Sequence, residues 1–176
     1  MAHLIGVQDE SMIDTLLLDW GNTVMVDFPQ QSGPMYRWPW VETLLGAEQS
    51  LSRLSQRYCC CLATNAADST RQDIRQALDR VAIGQYFREI FCYRDIGHAK
   101  PSAEFFAFIL ASLGKEKANL VMIGDDLEKD YLGPMRYGVR AVLFDPCNIA
   151  PPGMLRVASW VEIEGMIETL NRSAVA

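Results

Sequence analysis

Leu16-Leu17-Leu18-Asp19-Trp20-Gly21-Asn22-Thr23 runs three apolar residues straight into a carboxylate and a glycine-containing turn. A short apolar run ending abruptly in a polar group is the pattern of a strand buried on both faces of a parallel sheet. Such sheets present functional residues beyond the carboxyl ends of their strands. The pattern recurs along the chain. Leu62-Ala63 runs into Thr64-Asn65, Lys100-Pro101 follows a short apolar segment, and residues 119–123 open into Gly124-Asp125-Asp126-Leu127-Glu128-Lys129-Asp130.

Around these segments strand and helix patterns alternate. Strands are predicted at 12–19, 57–63, 89–93, 119–123 and 140–144. Helical spacing covers 41–56 (Leu44, Leu45, Leu51, Leu54) and a stretch capped by Asp68 or Ser69 that runs to Arg80. A third helix begins at Ser102, whose capping box is incomplete because Phe105 stands where Glu is preferred, and stops at Gly114. Short helices are expected at 129–137 and 159–170. Residues 24–40 are rich in Pro, Gly and aromatics and read as an ordered loop or flap. The sum is one α/β domain over 1–176 with its core at about 12–145. It is a three-layer α/β/α Rossmann-like arrangement around a mainly parallel, five-stranded sheet.

The composition excludes several classes. A net charge of −6 argues against nucleic acid or an anionic membrane as partner, since both demand a basic face. No apolar run reaches the roughly 20 residues that span a bilayer. The opening residues 1–10 lack a basic segment followed by a long apolar one, so no signal peptide is expected. Cys59, Cys60 and Cys61 are consecutive, and neighbours on a strand face opposite sides, which suits neither a disulfide framework nor zinc. They read as small core residues in a reducing, cytoplasmic compartment.

The polar segments carry the chemistry. Asp19 is a candidate nucleophile and metal ligand, since a carboxylate can attack phosphorus and divide one hard step into two. Thr64 and Asn65 could hold phosphoryl oxygens through a hydroxyl and a backbone N–H; the plain alternative is an Asx turn. Lys100 could neutralise charge on a transferring phosphoryl group and keep Asp19 ionised, or be a solvated surface lysine. Asp125, Asp126 and Asp130 lie within six residues and repel one another unless a cation intervenes; oxygen-only ligands point to Mg²⁺. The alternative is a solvated acidic turn at a helix start. His98 lies in a loop, and His3 carries no signal.

Together these segments resemble the haloacid dehalogenase-like hydrolases, most of which are Mg²⁺-dependent phosphatases. The resemblance covers about 12–144. It implies Asp19 as nucleophile, the Gly21 carbonyl as a metal contact, Thr64 as the phosphate-binding hydroxyl and Lys100 as the conserved-type lysine of the third motif. It further implies Asp125 as direct metal ligand, Asp130 as the outer carboxylate and Asp126 as an assistant. One position departs from the pattern: the family's first motif usually carries a second Asp, the general acid and base, where this chain has Gly21. General acid–base catalysis is typically worth about 10²–10⁴-fold, so alkyl phosphates should be slower than acyl or aryl phosphates.

Only 45 positions separate Asp19 from Thr64, and the interval from Asn65 to Lys100 is also filled by core elements. Neither leaves space for a full cap domain. The aromatic loop bearing Phe28, Trp38 and Trp40 is the candidate lid, and Asp27 within it could reach back as a substitute acid. A short cap leaves the site open to a large phosphorylated substrate or to closure by a second subunit in a homodimer. The expected function is a Mg²⁺-dependent phosphatase. The rivals are a weakly active binding or regulatory module and a C–halogen hydrolase, which needs no leaving-group acid.

Overall fold

A computed structural model describes residues 12–174; His3 and the opening segment read for a signal peptide lie outside them. Six parallel strands form one sheet in the order β3-β2-β1-β4-β5-β6. They are β1 (Thr15–Leu18), β2 (Cys59–Thr64), β3 (Glu89–Cys92), β4 (Leu120–Gly124), β5 (Arg140–Phe144) and β6 (Arg156–Val157). The sheet thus has one strand more than the sequence suggested. The extra strand is two residues long, follows a proline-rich loop and carries Arg156, so it has no apolar run to betray it.

Alternation across the sheet builds two cores. Leu16, Leu18, Cys60, Leu62, Val121 and Ile123 face one side, where helices α1 (Ala47–Leu54), α2 (Arg71–Arg80) and α6 (Ile163–Ala174) pack. Leu17, Cys61, Ala63, Leu120 and Met122 face the other, covered by Phe105, Phe106 and Ile109 of α4 (Ala103–Leu113). The cysteines therefore divide between the faces, as strand geometry requires, and all five in the chain are free thiols.

Several boundaries shift. Helix α1 is shorter than the 41–56 expected: the Val26 and Leu44 N–H groups donate to Glu42 and Val24 carbonyls, tying 42–44 to 24–26 in extended pairing. The cap of α2 is Thr70 rather than Asp68 or Ser69, in a reciprocal box with Asp73. Ser102 caps α4, accepting from the Phe105 N–H at 3.2 Å. The helix expected at 129–137 splits into a wide π-type turn, Leu127–Leu132, and a short helix α5 (Gly133–Arg136). A helical turn, α3 (Tyr93–Ile96), follows β3 where the sequence pattern marks no helix. No helix among the described residues is long and apolar enough to cross a membrane.

Candidate active site

Strand order reverses between β1 and β4, and this is where open α/β sheets bind ligands. Asp19 leaves the end of β1, Thr64 ends β2 and Asp125 follows β4. They line a cavity of about 440 Å³ with Trp20, Gly21, Asn65, Lys100, Asp126 and Asp130, walled on the loop side by Asp27, Met35 and Trp38. All the residues singled out in the sequence for chemistry therefore border one space. His98 does not, and is exposed.

At its floor, the Lys100 Nζ donates to Asp19 Oδ1 at 2.6 Å and to Asp130 Oδ1 at 2.7 Å. The Lys100 and Asp130 side chains are 2% and 1% exposed, whereas Asp19 keeps 14% open to the cavity. Asn65 fixes the lysine: its amide donates to the Lys100 carbonyl at 2.8 Å and accepts from the Lys100 N–H at 2.7 Å. The Asn65 amide is thus engaged through both its nitrogen and its oxygen by the Lys100 backbone. The Thr64 hydroxyl oxygen accepts from the Ala66 N–H, leaving its O–H free to donate.

The acidic residues separate into different roles. Carboxylate oxygens of Asp19, Asp125 and Asp130 lie within 4.8 Å of one another. Asp126 stands apart from this group. It caps the π-type turn through the Glu128 and Lys129 N–H groups and pairs with Lys129 Nζ at 2.6 Å. The Asp126 N–H in turn donates to Asp130 Oδ2 at 3.1 Å.

Electrostatics follow from this crowding. Burial pushes Asp19 above the usual carboxylate range, Lys100 opposes that, and Asp125 adds to it. Asp130 is pushed up to about 6, first by burial and then by the Asp19 charge, against the pull of Lys100. Partial desolvation and the charge of Asp130 raise Asp125. Burial alone would lower Lys100, but the two carboxylates outweigh it and hold the ammonium above its ordinary value. Burial would likewise raise Asp126, yet Lys129 and the capped N–H groups keep it low.

A family model for haloacid dehalogenase-like hydrolases matches residues 41–134, just over half of the chain. The chain belongs to this family. A ribulose-1,5-bisphosphate 5-phosphatase of Halopiger xanaduensis is 31% identical over 127 residues, covering 71% of this chain and 52% of that protein. The human N-acylneuraminate-9-phosphatase is 24% identical over 127 residues, covering 69% and 50%. The chain spans about half the length of these relatives. In fold, an uncharacterized protein from Listeria monocytogenes serotype 4b superposes with a TM-score of 0.82 at 22% identity, covering 91% of this chain and 99% of that one.

Three supporting features of this haloacid dehalogenase-like hydrolase escaped the sequence reading. The Thr23 hydroxyl donates to Asp125 Oδ1 at 3.3 Å, and Trp160 Nε1 donates to the Thr23 carbonyl at 2.8 Å, so a remote tryptophan steadies the acidic loop. A Cβ on Gly124 would collide with the Asp130 side chain, and one on Gly133 with Pro101. Only glycine lets Asp130 fold back under β4 and the Lys100-Pro101 loop approach the π-type turn. For Gly124 the signal was its place at the head of the acidic motif; Gly133 lies three residues beyond that motif and gave none. Thr23 to Trp160 spans most of the chain and left none.

The donor set suits a hard divalent cation: it is all oxygen, and three carboxylates facing one ammonium leave excess negative charge. Both oxygens of Asp130 are already bonded, to Lys100 and to the Asp126 N–H, so Asp19 and Asp125 hold the freer ones.

Proposed function

We propose that the chain is a Mg²⁺-dependent phosphatase acting on a phosphate ester or an acyl or aryl phosphate through an aspartyl-phosphate on Asp19. The observation that carries the reading is the buried Lys100 ammonium bridging Asp19 and Asp130 beside Asp125. An ammonium fixed in a buried floor is poised for charge that develops on phosphoryl oxygens. Both relatives named above are phosphatases by name, which supports the same chemistry.

Asp19 and Asp125, with the Gly21 carbonyl, would hold the cation, and Asp130 would orient the cluster from behind. Bound there, Mg²⁺ would neutralise phosphoryl charge. The remaining work falls to the chain's own groups. The Thr64 hydroxyl and the Asn65 N–H bind phosphoryl oxygens. Lys100 keeps Asp19 ionised and aims one of its oxygens. Asp19 attacks phosphorus, the leaving group departs, and water then hydrolyses the acyl phosphate and restores the carboxylate.

Hydrolysis of acetyl phosphate and p-nitrophenyl phosphate, with Mg²⁺ and with EDTA, tests this directly. Turnover should require the metal and vanish in Asp19→Asn. No turnover on either compound would favour a binding module, and metal-independent cleavage of a haloacid would replace the phosphatase reading with dehalogenation.

A further inference from the structure

Six carboxylates line the cavity, and five are engaged. Asp19, Asp125 and Asp130 form the central group, Asp126 caps the π-type turn, and Asp68 accepts from the Ser69 hydroxyl. Asp27 is the sixth. Among the described residues its carboxylate takes part in no hydrogen bond or ion pair; the one bond the residue makes is from its backbone N–H to Asn22 Oδ1 at 3.2 Å.

Its backbone is nevertheless held. The turn after Asp19 is closed by Val24 and Met25 N–H groups on the Trp20 carbonyl, at 3.0 and 2.8 Å, and by the Asn22 N–H on the Met25 carbonyl at 2.7 Å. The Val26 N–H then binds the Glu42 carbonyl at 2.9 Å, so the backbone leading into residue 27 is held. This delivers the Asp27 carboxylate over Gly21. A Cβ built on Gly21 would lie 3.6 Å from Asp27 Oδ2 and 3.7 Å from its Cγ. The space two residues past the nucleophile, which lacks a side chain of its own, thus faces a carboxylate from the loop.

We infer that Asp27 is a catalytic residue that transfers the leaving-group proton; the assignment rests on the phosphatase reading above. As the Asp19 oxygen bonds to phosphorus, the P–O bond to the leaving group breaks with its electron pair, and the Asp27 carboxyl proton passes to that oxygen. The resulting carboxylate then removes a proton from the water that attacks the aspartyl-phosphate. The Asp19–phosphorus bond breaks, inorganic phosphate leaves, and Asp27 is protonated for the next cycle. No histidine and no other unengaged carboxylate among the described residues lines the cavity to do this.

Two aryl esters of similar shape isolate the role: p-nitrophenyl phosphate, whose leaving group departs unprotonated, and phenyl phosphate, whose leaving group needs a proton. Asp27 is exposed and its side chain is unbonded, so Asp27→Asn leaves the fold intact, as its melting temperature will show. In Asp27→Asn, kcat/KM for phenyl phosphate should fall about 10²-fold or more beyond any fall for p-nitrophenyl phosphate. Equal losses on both esters, or no loss on either, would overturn the role of Asp27 while leaving the phosphatase reading standing. Wild-type protein inert towards both esters would remove the two readings together.

Discussion

At the scale of single residues, Lys100 has the most demanding position. Its ammonium is buried, its backbone is clamped on both sides by one amide, and its charge is shared by two carboxylates. A buried pair contributes little net stability against a well-packed apolar substitute, but removing one partner leaves uncompensated charge behind and costs about 3–5 kcal/mol. Lys100→Met keeps the length of the side chain and deletes its charge. Urea unfolding at pH 7 should show a loss of about 3 kcal/mol, with the proposed phosphatase turnover abolished. Unchanged stability would mean that the ammonium's desolvation already cancels its pairing. The sequence made the lysine visible because a proline and a cap follow it. It could not show that the Asn65 amide is spent on holding it, because that bond joins residues 35 positions apart.

At the scale of elements, one side chain ties the loop over the site to α2. Arg80, at the end of α2, donates to the carbonyls of Tyr36, Trp38 and Pro39 at 2.9, 2.6 and 3.2 Å. Trp38 is buried and also bonds the Gly33 carbonyl, while Phe28 stacks edge-on against both Trp38 and Trp40. Arg80→Ala should release these carbonyls to water without opening the core. Limited proteolysis should then cut within 28–40 several-fold faster, and KM should rise more than kcat falls. Cleavage at the wild-type rate would show that aromatic packing alone secures the loop. This segment was the least legible part of the chain. Its prolines and glycine announced a loop, yet its path depends on a guanidinium some 40 residues downstream. The strands were legible because burial on both faces gives continuous apolar runs, as in Leu16-Leu17-Leu18 and Cys60-Cys61-Leu62. Helix starts were less so. Leu44 and Leu45 have helical spacing, but Leu44 joins an extended pairing with Val24 and Leu45 is 98% exposed. Spacing cannot tell a helix from a short extended segment when a tertiary partner supplies the hydrogen bonds.

At the scale of the whole molecule, the strand order brings residues from three parts of the chain to one point, and what gathers there is mostly negative. Asp19, Asp125 and Asp130 are all raised, chiefly by desolvation, and one ammonium does not neutralise them. A carboxyl group whose folded value is raised binds its proton more tightly in the native state. It therefore favours the native state at low pH, and that contribution is lost as the pH climbs from its unfolded value through its folded one. For Asp130 the window runs from the ordinary carboxylate range to about 6. A divalent cation should reverse this, because it binds the ionised ligands and competes with their protons. Thermal unfolding with and without 10 mM Mg²⁺, an approximate working concentration chosen to exceed a weak site, should then give a small rise in Tm at pH 5 and a larger one at pH 7.5. In Asp125→Asn the rise at pH 7.5 should largely disappear, since the variant loses one of the two freer ligands. A shift of equal size at both pH values would mean that the ion binds elsewhere, and no shift at either would remove the metal from this cluster.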